Sequence, residues 1–282
     1  MKPAPFEYHA PEAVDEVCGL LAEFGDEAKV LAGGQSLVPM LALRLTRFEH
    51  LVDVNRVGAL SGFARENGTL VVHAATRQRV MERDPQVAAA VPLLARATPL
   101  IGHFQIRNRG TVGGSLAHAD PASEYPAVAV ALGAEIELAG PGGARRRVAA
   151  GDFFVGTWTT AAEVDELVVA ARFPVWPEGS GFAIEEVARR HGDFALAGVA
   201  CAVANGRAGI ALFGVGSTPV RAHEAEEAVL AGAPAADVAA AAVGGLDAPS
   251  DVHASGATRT RIARHLVERA VTRAREEHLA AR

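Results

Sequence analysis

Cysteine is scarce in this chain, which has only Cys18 and Cys201 among its 282 residues. An iron–sulfur cluster takes about four thiolates, and the two cysteines do not have the spacing of zinc ligands. The chain itself is therefore expected to hold neither kind of centre. Both cysteines lie in apolar patterns typical of small core residues. Their low number and the polar, proline-broken N-terminus, which lacks a signal-peptide pattern, predict a cytoplasmic location.

Long apolar runs and excess positive charge are also missing. No uninterrupted apolar stretch reaches the roughly 18–20 residues of a membrane span, so no span is expected. The net charge of -6 at pH 7 argues against a general nucleic-acid binder. The densest basic run, residues 145–147, follows two glycines and is typical of a solvated hairpin. Half of the residues are hydrophobic, and the length allows two domains with a sizeable core.

A recognisable set of catalytic residues is absent as well. Ser36 and Ser115 lack the Gly-x-Ser-x-Gly elbow of serine hydrolases. His103 and His118 have no further ligands at supporting spacing, so a structural role is favoured and no metal site is predicted. No residue of the chain is predicted to be catalytic, and a bound cofactor would have to carry the chemistry.

Two glycine-rich pentads are the most informative motifs that the chain does contain. They are the first glycine turn, Ala32-Gly33-Gly34-Gln35-Ser36, and the second glycine turn, Thr111-Val112-Gly113-Gly114-Ser115. Glycine lets the backbone approach a phosphate closely. We therefore expect main-chain amides of both turns to converge on one diphosphate, with Ser36 capping a following helix. The plainer alternative for the first turn is an ordinary strand-to-helix connection.

The segment after the second glycine turn, residues 116–121, has few apolar anchors and is expected to be irregular and functional. A third glycine signal, Gly214-Val215-Gly216, has Pro219 where a Rossmann loop needs a third glycine, and is interpreted as a structural turn.

Hydrophobic periodicity and turn signals predict the remaining elements. A helix opened by Asp84-Pro85 is divided at Pro92, and Asn205-Gly206 predicts a hairpin turn. Strands are expected at residues 29–32, 51–54, 69–74, 135–138, 167–173, 182–187, 196–203 and 208–213. Helices are expected at residues 11–24, in two alanine-rich stretches after the last strand, and from near Ser255. Residues 174–181 form the best linker.

The chain resembles the FAD-binding medium subunit of the molybdenum hydroxylases. This family includes carbon monoxide dehydrogenase and the xanthine dehydrogenases. Four segments together carry the resemblance: residues 32–37, 106–115, 119–121 and 189–195. The resemblance implies an α+β fold. It consists of a two-subdomain FAD-binding fold of the vanillyl-alcohol oxidase (PCMH) type and a C-terminal α+β domain with a small antiparallel sheet. The implied boundaries are 1–57 and 58–176 for the FAD-binding subdomains, and 177–282 for a domain of the carbon monoxide dehydrogenase flavoprotein type.

The function that the resemblance implies is that of an oxidoreductase subunit carrying FAD. It would pass electrons from 2Fe-2S clusters of a small partner subunit to an external acceptor, while a large partner holds the molybdopterin-based molybdenum cofactor. The implied assembly is a dimer of heterotrimers, a heterohexamer. Two alternatives stay open: a self-sufficient FAD-dependent oxidase or reductase of the same fold, and a cofactor-free scaffold subunit.

The resemblance also assigns FAD-binding roles to individual residues. Ile101 would pack near the flavin, Glu124 would meet the ribityl chain, and Phe194 would lie against the isoalloxazine. The full implied set is Ala32, Gly33, Gly34, Gln35, Ser36, Leu37, Ile101, Thr111, Val112, Gly113, Gly114, Ser115, Ala119, Glu124, Val168 and Phe194. Two positions depart from the family pattern: Gln35 replaces a frequent histidine, and Glu185 stands where some members have a flavin-facing lysine.

Overall fold

The computed structural model describes residues 2–281, and buried side chains form three hydrophobic clusters within them. The strands are β1 (Glu7–His9), β2 (Ala28–Leu31), β3 (His50–Asp53), β4 (Phe63–Glu66), β5 (Thr69–His73), β6 (Glu135–Ala139), β7 (Arg145–Ala149), β8 (Phe154–Gly156), β9 (Thr159–Thr160), β10 (Leu167–Pro174), β11 (Gly181–Val187), β12 (Ala197–Ala204), β13 (Arg207–Phe213) and β14 (Val220–Arg221).

The α-helices follow the same chain order, with several short helices in the middle of the chain. They are α1 (Val14–Phe24), α2 (Leu37–Ala42), α3 (Gln78–Arg83), α4 (Pro85–Ala90), α5 (Pro92–Ala97), α6 (Phe104–Arg109), α7 (Val112–His118), α8 (Glu124–Leu132), α9 (Ala150–Phe153), α10 (His223–Leu230), α11 (Ala235–Val243) and α12 (Gly256–Ala280). None of these helices combines the length and the hydropathy that a bilayer crossing requires.

Three sheets and one short hairpin organise the described residues. The first sheet is parallel, with the order β1-β3-β2. The second is antiparallel, with the order β4-β5-β10-β6-β7. The third is antiparallel, with the order β11-β12-β13-β14, and β8 pairs with β9. These sheets and their flanking helices confirm the predicted α+β class and the small antiparallel sheet near the C-terminus.

Helix α8 joins the second sheet to the third. All nine of its residues are buried, and it packs against β12, β13 and β10. The contact with β13 is very close, because a Cβ atom at Gly209 would lie 2.0 Å from the carbonyl oxygen of Ala131. A side chain at Gly209 would push helix and strand apart. Glu124, the first residue of α8, is buried with the rest of the helix.

Most predicted elements are confirmed, because their signals are local. The Asp84 carboxylate caps α4 by accepting the amide of Gln86 at 2.9 Å, and residues 205–206 form the hairpin between β12 and β13. Residues 145–147 lie on the exposed strand β7. The turn at Gly214 connects antiparallel strands β13 and β14 rather than a strand and a helix, so its interpretation as a structural turn is also confirmed.

Two local predictions are wrong. Residues 116–118 are the end of helix α7 and not part of an irregular segment, because Leu116 is buried with Val112 on the same helix face. Ser36 directly precedes α2 as expected, but its side chain makes no capping hydrogen bond.

Candidate cofactor-binding site

The first glycine turn leaves its backbone donors unused. Val38 and Met40 donate their amides to the carbonyls of Gly34 and Ser36. Within residues 2–281, however, the amides at positions 33–36 have no acceptor. Gly34 has φ +72°, in the left-handed region that glycine adopts without steric cost. Consecutive free amides at such a turn form a concave site for an anion.

Side chains of the first glycine turn leave the amides accessible. The Gln35 side chain folds back to donate to the carbonyl of Gly33 at 2.9 Å. Ser36 makes no side-chain cap, and Leu37 is half-buried at the start of α2. The amides at positions 33–36 are therefore free to bind a phosphate.

The second glycine turn differs from the first, because its amides at positions 112–115 are already hydrogen-bonded. Val112 donates to the carbonyl of Thr76 at 3.0 Å, and Gly113 donates to that of Ala74 at 2.8 Å. The Gly114 amide donates to the Thr111 hydroxyl at 3.0 Å. The amides at positions 112–114 therefore already have acceptors within the chain, and their binding to a diphosphate remains a prediction.

The amide of Ser115 also has an acceptor, because it donates to the Thr111 carbonyl at 3.1 Å. Its hydroxyl lies 3.2 Å from that of Ser123 and is half-buried. Among the described residues, the second turn is thus left with the amide of Thr111 and with hydroxyl groups as its means of contacting a ligand.

The two glycine turns lie against each other, as predicted. A Cβ atom at Gly33 would lie 2.6 Å from the carbonyl oxygen of Arg109 and 2.7 Å from Cα of Gly110. A Cβ atom at Gly114 would lie 3.4 Å from Cβ of Ala32. Contacts this short exclude side chains at Gly33. The sequence signal of paired glycines therefore corresponds to a close backbone approach between the turns.

A polar bridge that the sequence did not reveal fastens the first turn to the residues before the second. Asn55 donates to the carbonyl of Ala32 at 2.9 Å and accepts from Arg77 at 2.6 Å. Arg77 in turn donates to the carbonyl of Arg109. The half-buried guanidinium of Arg77 adds a fixed positive charge beside the free amides.

Arg107 holds the loop that contains Ile101. Its buried guanidinium donates to the carbonyls of Ile101 and Gly102 at 3.1 and 3.2 Å, and to Glu82 at 2.9 and 3.0 Å. The Arg107 hydrogen bonds hold the pKa of the Glu82 carboxyl below its usual range. Ile101 is half-buried against the largest core cluster.

The turn of residues 189–194 packs onto the loop held by Arg107. A Cβ atom at Gly192, which has φ +81°, would lie 2.8 Å from the His103 ring and 2.9 Å from the carbonyl oxygen of Gly102. Phe194 follows this turn and is 70 % exposed. An exposed phenylalanine two residues after this contact offers a surface for an aromatic ligand.

An aromatic residue missed by sequence reasoning lies at the other end of α7. Trp158 is 59 % exposed and has φ +55°, a rare conformation for a bulky residue. Its amide donates to Ala119, its indole donates to Asp120 at 3.3 Å, and its ring stacks with His118. Ala119 itself is left-handed, with φ +50°. The His118 ring thus packs against Trp158, and the structural role favoured for it remains a prediction.

Two carboxyl groups meet where α8 and β11 approach. Burial and, to a smaller extent, the nearby Glu186 carboxylate raise the pKa of Glu124 to about 8. Burial also raises the pKa of Glu186 to about 7, and its buried Oε2 has no partner among the described residues. Glu124 is therefore largely protonated at neutral pH and is able to donate a hydrogen bond.

Glu186, rather than Glu185, is the residue of β11 that lies beside Glu124. Glu185 points to the opposite face of the strand, where it pairs with Arg269 at 3.2 Å and with Arg273. Sequence reasoning considered position 185 and overlooked 186, although the alternation along a strand gives the two side chains opposite faces.

Val168 is nearly buried, at 7 % exposed, in the core cluster that also contains Val112 and Leu116. It lies at an irregularity of β10, the strand on which α7 packs. Any contact with a ligand would involve only the small exposed part of this side chain.

Glu124→Gln is expected to flatten the dependence of stability on pH. The folded carboxyl, with a pKa of about 8, keeps its proton between about pH 4.5 and 8, while the unfolded one loses it. Wild-type stability should therefore fall as the pH rises through this window, by up to about 1.4 kcal/mol per pH unit for one group. Urea unfolding at pH 5.5 and at pH 8 measures this decrease in the free energy of unfolding.

The neutral amide of Glu124→Gln cannot ionise, so the variant should gain stability relative to the wild type at pH 8. Glu23→Gln, on the exposed side of α1, is the matched control and should leave the pH profile unchanged. A Glu124→Gln profile parallel to that of the wild type would show that this carboxyl does not titrate in the window.

Comparisons with known proteins agree with these features. A family model described as the FAD binding domain in molybdopterin dehydrogenase matches residues 4–176. A second model, the CO dehydrogenase flavoprotein C-terminal domain, matches residues 182–274. The chain is 40% identical over 285 residues to the carbon monoxide dehydrogenase medium chain of Hydrogenophaga pseudoflava, covering 97% of this chain and 98% of the relative.

Other relatives carry different substrate names. The chain is 38% identical to caffeine dehydrogenase subunit beta of a Pseudomonas species, covering 97% of this chain and 96% of the relative. A solved carbon monoxide dehydrogenase of Hydrogenophaga pseudoflava superposes with a TM-score of 0.94 at 40% identity, over 98% of this chain and 99% of the other. Quinoline 2-oxidoreductase from Pseudomonas putida 86 superposes with a TM-score of 0.90 at 35% identity, over 99% and 100%.

Proposed function

Because the chain belongs to the family of FAD-binding medium subunits of the molybdenum hydroxylases, we propose that it carries FAD and relays electrons within a multi-subunit oxidoreductase. One observation supports this most strongly. The first glycine turn presents four consecutive free amides directly against the second, inside the segment that the FAD-binding family model covers. A doubly charged diphosphate is the ligand for which such a cradle is suited.

The residues present fit FAD well. The amides at positions 33–36 would donate to the diphosphate oxygens, and the Arg77 guanidinium would add positive charge beside them. The hydroxyls of Thr111 and Ser115 would complete the cradle from the second turn. In this assignment, side chains of the second turn rather than its amides at positions 112–115 would contact the diphosphate. The diphosphate would still lie between the two glycine turns, as the sequence predicts.

Other residues of the predicted set would hold the flavin end. Ile101 and Phe194 would provide apolar and aromatic surface, and the protonated carboxyl of Glu124 would donate to a ribityl hydroxyl or a flavin oxygen. When bound, the flavin supplies a two-electron carrier that exchanges electrons with one-electron centres. The chain's own task is to bind this group, orient it and exclude water from part of it.

The partners we propose are a large subunit with the molybdenum cofactor and a small subunit with 2Fe-2S clusters. The relatives named medium chain or subunit support this arrangement, and the chain's own two cysteines are buried and free. We further propose a cytoplasmic dimer of heterotrimers, with domain boundaries at 57 and 176. The family models match segments that end at 176 and begin at 182.

The test is to purify the chain together with its partner subunits and record the visible absorbance. We expect a flavin spectrum, with an equimolar amount of FAD released on denaturation. A complex without flavin would contradict the proposal and favour a scaffold subunit. Turnover of a small substrate by the isolated, flavin-loaded chain would favour a self-sufficient oxidase instead.

A further inference from the structure

Three metal-ligating side chains lie together on the parallel sheet, outside the proposed flavin site: Glu7, His9 and His50. We propose that they form a Zn²⁺ site that fastens strand β1 to strand β3. One ligand atom of each residue lies within 4.8 Å of the other two. Imidazole nitrogen and carboxylate oxygen are ordinary zinc ligands. The inference does not depend on the proposed binding of FAD.

Strand pairing brings the three side chains to one face of the sheet. Glu7 and His9 are two residues apart on β1 and point the same way. His50 on β3 is the register partner of Glu7. Tyr8, between them, points to the opposite face, where its hydroxyl donates to Asp53 at 2.7 Å. The cluster is thus fixed by the register of two strands and not by a mobile loop.

Two distances within the cluster are close to those expected between ligands in tetrahedral coordination. His9 Nε2 lies 3.1 Å from His50 Nδ1, and His50 Nδ1 lies 3.6 Å from Glu7 Oε2. Two ligand atoms at zinc bond lengths of about 2.0–2.1 Å and a tetrahedral angle are separated by about 3.4 Å.

Packing already orients the imidazoles. The Phe24 ring of α1 stacks on His50, with a centroid distance of 3.8 Å and an interplanar angle of 7°. The same phenylalanine ring lies 5.3 Å from that of His9. Ligands that are fixed before the metal arrives lose less conformational entropy when they bind it. The fourth coordination position would be open to water, because the Glu7 side chain is 75 % exposed.

Zinc binding would stabilise β1, which is an edge strand of three residues. A cation held by both strands joins segments that are 41 residues apart in the sequence. Any ligand that binds only the folded state stabilises that state by mass action. The expected consequence is a rise in the unfolding temperature of the chain when Zn²⁺ is added.

The test is calorimetric titration of the untagged full chain with ZnCl₂, together with thermal unfolding with and without Zn²⁺. We expect a single site with a dissociation constant in the micromolar range. Glu7→Gln removes a ligand at an exposed position and should weaken binding at least about tenfold. His9→Gln should weaken it at least as much, since it removes an imidazole.

His253→Gln is the matched control, because it removes an exposed histidine on a loop far along the chain. It should bind zinc as the wild type does. Circular dichroism shows whether each variant is folded. If His9→Gln does not fold, the zinc affinity of Glu7→Gln alone tests the proposal. The proposal is overturned if the wild type binds no zinc up to about 1 mM, or if Glu7→Gln binds it unchanged.

Discussion

Gly33→Ala is expected to weaken the binding of FAD to the assembled complex at least about a hundredfold. The new Cβ would lie 2.6 Å from the carbonyl oxygen of Arg109, a backbone atom that cannot move aside as a flexible side chain could. The first glycine turn would then separate from residues 109–110, which directly precede the second. A hydrogen bond to a charged group contributes about 1.5–3 kcal/mol, so the loss of two such bonds accounts for this factor.

The measurement is a titration of flavin-depleted complex with FAD, followed by the quenching of flavin fluorescence. Gly19→Ala is the matched control: Gly19 lies on the exposed side of α1, and a Cβ there meets no atom within 4 Å. It should bind FAD as the wild type does and gain slightly in helix stability. If Gly33→Ala retained wild-type affinity, the contact between the turns would not be needed for binding.

Arg107→Met is the second change with a large expected effect, on folding as well as on the site. Its guanidinium joins Glu82 of α3 to the carbonyls of Ile101 and Gly102. Removing one partner of a buried pair costs about 3–5 kcal/mol, because the other charge and the carbonyls lose their donor. We expect the lower end of this range, since the Glu82 side chain is 21% exposed and water can reach it.

Urea unfolding measures the loss of stability, and limited proteolysis reports whether the chain at residues 99–103 has become accessible. The control is Arg79→Met, an exposed arginine of the same helix as Glu82, which should change the unfolding free energy by less than about 0.5 kcal/mol. Equal stabilities of the two variants would show that Arg107 does not fasten this loop.

The glycine turns were predictable because their signals lie within five consecutive residues. A glycine pair after an apolar strand can be recognised without considering the rest of the chain. The same is true of a threonine such as Thr111, which caps α7 by accepting the amide of Gly114. The same holds for the cap at Asp84 and for the hairpin at residues 205–206. The resemblance to a known family added the expected neighbours, Ile101 and Phe194.

The hydrogen-bond partners of the second turn were not predictable in this way. The amide of Gly113 donates to Ala74, which lies at the end of β5, 39 residues earlier. Such acceptors become known only when the antiparallel strand β5 and helix α7 are placed together. The bridge through Asn55 and Arg77 has the same origin, since it joins residues of four separate segments.

The cluster of Glu7, His9 and His50 illustrates a further limit of local motifs. Zinc ligands are recognised in a sequence by short, regular spacing, but here the spacing is set by the register of a parallel sheet. Glu186 was overlooked for a comparable reason, because a buried carboxyl beside Glu124 has no sequence pattern of its own.

The central claim is that the paired glycine turns hold FAD by its diphosphate. Calorimetric titration of the flavin-depleted complex with FAD, and separately with riboflavin, tests it most directly, because riboflavin has the same ring system and no phosphate. We predict that FAD binds at least about a hundredfold more tightly than riboflavin. Equal affinities for the two compounds would contradict the account.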